Sequence, residues 1–365
     1  MNVCIIGDGL SSLSFANNLI NKKVNVHIYR KKKKNNLSLT RTIGISKNNL
    51  NFFKKEILDI GKKNIWEINK IEVYSEKLKN GKILNFKKNK SNLFCIIKNN
   101  YFYKLLNTRL LKSKFFKDKT IKNDYFYEKL LKEKKYDLII NCDSKNLIAK
   151  NFFLRKIDKN YNNLAYTGVL KHQKLKNNSA IQIFTKYGPI AFLPISSTET
   201  SIVYSLDTDN KKYDKKKIIN LIKKYNPKFK IKKISKLDKF ELKSSNLRHY
   251  YYKNILAFGD CLHKVHPLAG QGFNMTVRNI KVISKIIQNR IDLGMQLDSL
   301  IFEEFEKKTK HTNFIFSNGI DFIYEFFNFD KKNKDNNLNK ALKLLGKNKI
   351  LNDIFVKYAD TGLGI

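Results

Sequence analysis

The stretch from Ile255 to Ile280, ILAFGDCLHKVHPLAGQGFNMTVRNI, constrains the fold more than any other. Ile255, Leu256, Ala257 and Phe258 are a short apolar run of the kind a buried strand uses. Gly259, Asp260, His266, Pro267, Gly270 and Gly272 follow as turn residues and polar groups. From Phe273 onward, Val277, Ile280, Ile283, Ile287 and Ile291 recur at helical spacing. Strand, loop and helix in that order place the Asp260 carboxylate at a strand end. They also aim the first helical N–H groups, at Gly272, Phe273 and Asn274, toward the loop, where they attract negative charge. An ordinary turn would account for glycines anywhere. Here the chain has only 4 Pro and 15 Gly in 365 residues, and one of those prolines and three of those glycines fall in this loop.

A related signal opens the chain. Val3 to Ile6 reads as an apolar strand, Gly7-Asp8-Gly9-Leu10-Ser11-Ser12 as a turn, Leu13, Ala16, Leu19 and Ile20 as a helix face, and Val24, Val26 and Ile28 as a second strand. This is a βαβ unit with a G-x-G-x-x-[G] turn at its first crossing. Gly7 permits the tight turn, Gly9 lets backbone approach a pyrophosphate, and Ser12 is small enough for the third position. Dinucleotide folds usually end the second strand with an acid that binds the adenosine ribose. The matching residue is Arg30, which cannot accept a hydrogen bond but can stack on adenine or meet a phosphate.

Bulk properties exclude little. A chain of 365 residues with 42% hydrophobic content has room for two interlocked domains. The net charge of +42, from 73 Lys+Arg against 31 Asp+Glu, would suit nucleic acid or an anionic membrane. Abundant Lys, Asn, Ile, Phe and Tyr with scarce Gly, Pro, Ala, Trp and Arg is, however, the bias of A/T-rich codons. The basic residues are spread along the length apart from Arg30 to Lys34. No nucleic-acid partner is therefore expected, whereas weak attraction to an anionic bilayer is, because electrostatics act whatever the origin of the lysines. Cys4, Cys95, Cys142 and Cys261 are far apart with no CxxC, so neither a metal site nor a disulfide framework is expected. Met1 leads directly into a strand, and no run of ~18 apolar residues exists. The expectation is a cytoplasmic chain, peripheral on the inner face of the membrane.

Between the two turns the pattern changes. Ile71 to Phe86 alternates around Asn80-Gly81, a hairpin signal. Ile96 to Asn100 opens a helix through Phe102, Leu105 and Leu106, and Asp137 to Ile140 reads as a buried strand. Residues 166–169, 180–185, 191–194 and 201–206 then alternate with period two, as antiparallel strands do. Lys211 to Lys224 reads as a basic helix and Phe229 to Phe240 as a strand region. Helices are expected at Leu300 to Phe305, at the aromatic-rich Phe314 to Phe327 and at Ala341 to Tyr358, with a loop at Asp330 to Asn337.

The residues Gly259-Asp260, His263, His266-Pro267-Leu268-Ala269-Gly270-Gln271-Gly272 and Asn274 resemble the second flavin-binding signature of FAD-dependent aromatic hydroxylases of the para-hydroxybenzoate-hydroxylase type. The likeness is in particular to their ubiquinone-biosynthesis branch, whose loop reads GD-x-A-H-x-x-HPLAGQG-x-N. Phe184 to Pro194 resembles the same family's F-T-x-x-G-P-x-A-x-L-P. Arg41, five residues before Ser46, and Asp143, followed by Ser144 where the family's A-D-G has glycine, are partial matches. The resemblance implies an α/β fold: a Rossmann-like FAD-binding domain (1–70, 96–160 and 250–300), an inserted antiparallel-sheet substrate domain (71–95 and 161–249) and a C-terminal helical segment (301–365). It implies cofactor contacts from Gly7, Gly9, Leu10, Ser11, Ser12, Arg30, Arg41, Asp143, Gly259, Asp260, Pro267, Gly270, Gln271, Gly272, Phe273 and Asn274. A substrate cavity lined by Phe184, Gly188, Pro189, Ala191, Leu193, Pro194 and Leu268 is also implied.

The implied activity is hydroxylation of a prenylated phenol or quinol in ubiquinone biosynthesis, through a C4a-hydroperoxyflavin, with FAD, O2 and NADH or NADPH. The flavin loop at His266-Pro267 is the catalytic candidate. His263 and His266 stand where an acid or base would, although holding the loop by hydrogen bonds is the simpler role for both. A flavin-dependent prenyl-lipid reductase and a non-catalytic FAD-binding accessory protein keep the same fold. A ubiquinone-biosynthesis complex is the further partner expectation.

Overall fold

The structure, a computed structural model, describes residues 1–31, 40–76, 81–87, 92–208, 213–266 and 270–332. In chain order it runs β1 (Asn2–Ile6), α1 (Leu10–Asn21), β2 (Asn25–Lys31), β3 (Thr42–Ser46), α2 (Lys47–Glu56), β4 (Trp66–Ile68), β5 (Lys70–Ser75), β6 (Gly81–Lys87), β7 (Phe94–Lys98), α3 (Asn99–Leu111), β8 (Phe116–Ile121), α4 (Tyr125–Lys132), β9 (Leu138–Asn141) and α5 (Leu147–Phe152). There follow β10 (Lys156–His172), β11 (Ser179–Thr185), β12 (Gly188–Pro194), β13 (Glu199–Asp207), α6 (Lys215–Lys224), β14 (Ile231–Ile234), β15 (Asp238–Leu247), β16 (Tyr251–Tyr252), β17 (Ile255–Ala257), β18 (His263–Lys264), α7 (Gln271–Asp292) and α8 (Leu300–Lys332).

These elements form three sheets. The first has six strands in the order β16-β17-β9-β1-β2-β8, and β17, β9, β1, β2 and β8 are parallel to one another. Val3, Cys4, Ile5 and Ile6 are fully buried, because a parallel sheet is covered by helices on both faces and its strands read as continuous apolar runs. The N-terminal βαβ unit is where the sequence places it, with β1 and β2 in register from Asn2↔Asn25 to Ile6↔Tyr29.

The second sheet has nine strands, in the order β18-β15-β10-β13-β12-β11-β5-β6, with β14 beside β10. Its period-two alternation has a physical basis. One face, through Ile181, Ile183, Ile190, Phe192, Ile202 and Tyr204, packs on Ile218, Leu221 and Ile222 of α6. The opposite face meets α8 through Phe184 and Phe240, and the three-stranded sheet β3-β7-β4 through Leu193. That small sheet lies between the two large ones, and Thr42 Oγ1 donates to Ser201 Oγ across the seam at 3.1 Å.

The sequence reading needs correction in the C-terminal third. The two helices expected around 300–327 are one continuous helix, α8. The polar stretch after Phe305 carries no Gly or Pro to break it. It is instead stapled by Glu303–Lys307, Glu304–Lys308 and Glu306–Lys310 pairs four residues apart. The basic helix starts at Lys215, where Asp214 accepts a hydrogen bond from the Lys217 N–H at 2.6 Å. β5 and β6 pair as an antiparallel hairpin, while Asn80 of its expected turn, most of the loop 330–337 and the expected helix 341–358 lie outside the described residues.

Candidate functional site: a cleft between two glycine turns

The two turns that stand out in the sequence meet in space. Gly259 has φ +59, and a Cβ built on it would lie 2.6 Å from Ser11 Cβ and Oγ. Only glycine permits both that backbone angle and that approach. The strand-end loop after β17 is thus seated directly on the first turn of α1. Gly7, at φ +118, is the matching constraint on the other side: its Cβ would touch Cys142 Cβ and Ser12 Oγ, each at 3.3 Å. The sheet order β17-β9-β1 makes this inevitable, since the three strands end side by side and deliver Gly259, Cys142 and Gly7 to one edge.

In front of these contacts the space opens. A Cβ on Gly9 would meet nothing within 4 Å, and Gly9 caps α1 without any side-chain hydrogen bond. The N–H groups of Leu10, Ser11 and Ser12 therefore have no intrahelical partner. α7 offers a second such start: Gly270 is its N-cap, in the left-handed region at φ 63, again with no side-chain cap. The Gln271 Oε1 beside it is buried with no donor reaching it among the described residues.

Asp260 follows β17 and is exposed to solvent, while nearby protein pushes the pKa of its carboxyl up, against the opposing pull of Lys264 and Arg41. An uncapped α1 start, a second uncapped start at α7, an orphaned acceptor and an exposed carboxylate supply the donors and acceptors that an extended dinucleotide with sugar hydroxyls requires. The residues present fit FAD.

The other expected residues make the following contacts within the protein. The Asn274 side chain is fully used inside the protein: Oδ1 accepts from Ser46 N–H at 2.9 Å and Asn49 Nδ2 at 3.0 Å, while Nδ2 donates to Gly44 O at 2.9 Å and Gly270 O at 3.4 Å. It clamps α7 to β3 and α2. Asp143 Oδ1 accepts from the Lys145 N–H at 2.9 Å, holding its own turn. Phe273 is edge-on to Phe102 at 5.7 Å. Arg30 is drawn aside: its Nε pairs with Asp118 at 2.8 Å and its terminal nitrogens reach Asn107 Oδ1 at 3.1 and 3.2 Å. Arg41 lies over the Phe240 ring at 4.6 Å.

Both histidines hold structure. His263 is buried, with Asn279 at 2.8 Å from Nε2, and burial pushes its pKa down to about 4. His266 is boxed between Tyr161, edge-on at 4.8 Å, and Tyr324, stacked at 4.5 Å, and burial pushes it down to about 3. Tyr161 in turn donates to the Asp321 carboxylate. Tyr161, Asp321 and Asn49 carry no motif in the sequence, and Ser46 stands out there only as the end of the Arg41 match. The aromatic richness of α8 was the one available signal. Pro267 and Leu268 lie outside the described residues.

The register of β12 sorts the expected cavity residues. Phe184 pairs Pro189, and Leu193 pairs Ser201, and with Ala191 these four side chains alternate away from the α6-covered Ile190 and Phe192. Gly188 and Pro194 fall in the opposite phase. Gly188, at φ +127, is required instead because a Cβ would collide with Ser205 O of β13.

Residues 161–346, just over half of the chain, match the family model described as squalene epoxidase. The chain belongs to the squalene epoxidase family. Within this family setting it is 30% identical over 95 residues to the Dictyostelium discoideum ubiquinone biosynthesis monooxygenase COQ6, mitochondrial (26% of this chain, 19% of that protein). It is 26% identical over 164 residues to the Escherichia coli 3-demethoxyubiquinol 3-hydroxylase (41% and 40%), and 23% identical over 236 residues to COQ6 of Xenopus tropicalis (52% and 50%). The matches span from 19% to 50% of the length of these relatives.

Among solved structures, p-nitrophenol 4-monooxygenase PnpA from Pseudomonas putida DLL-E4 superposes with a TM-score of 0.76 at 11% identity, over 99% of this chain and 98% of that one. Klebsiella pneumoniae HpxO, complexed with FAD and uric acid, gives 0.73 at 10% identity, over 99% and 96%. At these identities the likeness establishes the fold: the Rossmann-like α/β architecture of FAD-dependent monooxygenases. The resemblance to FAD-dependent aromatic hydroxylases drawn from residues 255–280 therefore holds.

Proposed function

We propose that the chain is an FAD-dependent monooxygenase that hydroxylates the ring of a prenylated phenol or quinol in ubiquinone biosynthesis, with NADH or NADPH as electron donor. The observation that carries this reading is the seating of Gly259 on Ser11, which makes one cleft of the two turns. FAD supplies the electrophilic oxygen that side chains lack, taking electrons from the donor and oxygen from O2. The chain's own residues do the rest. The N–H groups of Leu10, Ser11 and Ser12 hold the pyrophosphate. Asp260 accepts from ribityl hydroxyls, and Arg41 balances its charge. The start of α7 at Gln271, Gly272 and Phe273 carries partial positive charge and would favour an anionic form of the bound ring. Phe184, Pro189, Ala191 and Leu193 keep the substrate chamber apolar and short of water.

The reading includes the division into a discontinuous FAD-binding unit and an inserted substrate sheet. It also includes a cytoplasmic protein in peripheral contact with an anionic membrane or a biosynthetic complex. No helix among the described residues is long and apolar enough to cross a membrane. The squalene epoxidase match over 161–346 favours one second reading, oxygen transfer to an isoprenoid double bond.

The test is direct. Purified protein should take up FAD with the visible spectrum of bound flavin, and Asp260→Ala should weaken uptake about tenfold or more. With a prenylated phenol and NAD(P)H it should consume O2 in step with a product heavier by one oxygen on the ring. A product oxidised on the prenyl tail would favour epoxidation. O2 uptake without any oxygenated product, or a flavin never reduced by donor, would sink both oxygenase readings.

A further inference from the structure

A cavity of about 1270 Å³ lies along the open edge of the parallel sheet, between β16 and the first half of α8. It belongs to neither glycine turn. Two features of its wall call for an occupant. The first is a pair of arginines. β10 and β15 run antiparallel with Lys156 opposite Leu247, and one step outward the Arg248 N–H donates to Arg155 O at 2.8 Å, so the two arginines face each other across the ladder. Like charges directly opposed on neighbouring strands repel.

Among the described residues no carboxylate pairs with either arginine. The two acids in the wall are committed, Glu303 to Lys307, and Glu306 to Lys310 and the Tyr250 N–H. The codon bias that fills this chain with lysine does not account for the pair, since only seven residues in the chain are arginine. Arg155 and Arg248 present planar forks suited to bidentate phosphate binding, and Lys253 adds a further cation to the wall, where Lys307 and Lys310 are already paired with Glu303 and Glu306.

The second feature is the apolar rim. Phe152 and Tyr252 stack at 4.4 Å, and Ile157, Tyr252 and Phe314 line the cavity as exposed side chains, Phe314 to 49%. A soluble phosphate needs no such rim. A lipid whose phosphate enters the fork while its glycerol and first methylenes lie against the rim uses both. We propose that this cavity is a headgroup site for an anionic phospholipid. The site stands independently of the flavin chemistry.

The full-length protein is floated with phosphatidylcholine vesicles, with and without phosphatidylglycerol, at about 0.15 M salt, where diffuse surface charge is screened beyond ~8 Å. Binding is expected only to the anionic vesicles. Arg155→Ala/Arg248→Ala should lower it about tenfold, whereas Lys232→Ala/Lys233→Ala, which removes the same charge from β14, should change it less than about twofold. Arg155→Lys/Arg248→Lys keeps charge and fold, so its failure to restore binding supports the fork. Equal losses in both alanine doubles would show that net charge alone acts and overturn the site. Protection of the cavity by glycerol 3-phosphate without vesicle binding would overturn the lipid assignment.

Discussion

The two ends of the cleft are built differently. Toward the start of α7 nearly every contact is tight: Gly259 touches Ser11, Asn274 spends all its polar capacity on three segments, and His263 and His266 are buried. At the end of β2, where dinucleotide folds usually carry a carboxylate, Arg30 is turned into Asp118, Asn107 and Tyr103. The contrast teaches that a loop placed by close backbone contact tolerates almost nothing, while an end that binds through one exposed side chain can be rebuilt.

Four substitutions or conditions would break or sharpen that contrast. Gly259→Ala should have the largest effect. It forces a β-carbon into Ser11 at a left-handed backbone angle, for about 4 kcal/mol of destabilisation with loss of FAD binding. Adding Ser11→Gly should recover the steric part but not the backbone part, as read by urea unfolding. Next is acid titration. Burial holds the folded pKa of His263 near 4 and of His266 near 3, below the ordinary value of about 6.5. The unfolded chain therefore takes up the protons first, and stability falls as pH drops through 6.5, reaching roughly 3 kcal/mol lost for His263 by its folded pKa. Subtracting the same curve for His263→Gln isolates that limb, and parallel curves would refute it.

Asn274→Ala should cost about 2–3 kcal/mol by leaving the buried Ser46 N–H and Gly44 O unpaired, with FAD affinity falling because Gly270 is released from β3. Arg30→Gln should matter least. The Asp118 side chain is 41% exposed, so the pair contributes about 1 kcal/mol at most, and FAD affinity should stay within about threefold. A tenfold loss measured by flavin fluorescence would make Arg30 an adenosine contact after all.

How much of this was legible follows from sequence distance. The βαβ turn and the 255–280 stretch each carry their information within about thirty residues, where glycine placement and apolar period are decisive. The Asn274 clamp was not legible as a clamp, because Ser46 and Asn49 lie more than two hundred residues upstream. Gly188 stands out in the sequence by its motif, and the register against β13 adds what the motif cannot show, that Ser205 excludes a side chain there. The two helices expected at 300–305 and 314–327 are one because the charges between them are spaced to continue the helix.

That uninterrupted α8 has a mechanical corollary. A helix of 33 residues is a shaft roughly 50 Å long. Its early turns border the arginine-lined edge, and its later turns wedge Asp321 and Tyr324 beside His266. A rigid shaft that tilts at one extremity moves at the other, so a load at the sheet edge and the packing against His266 share a single degree of freedom.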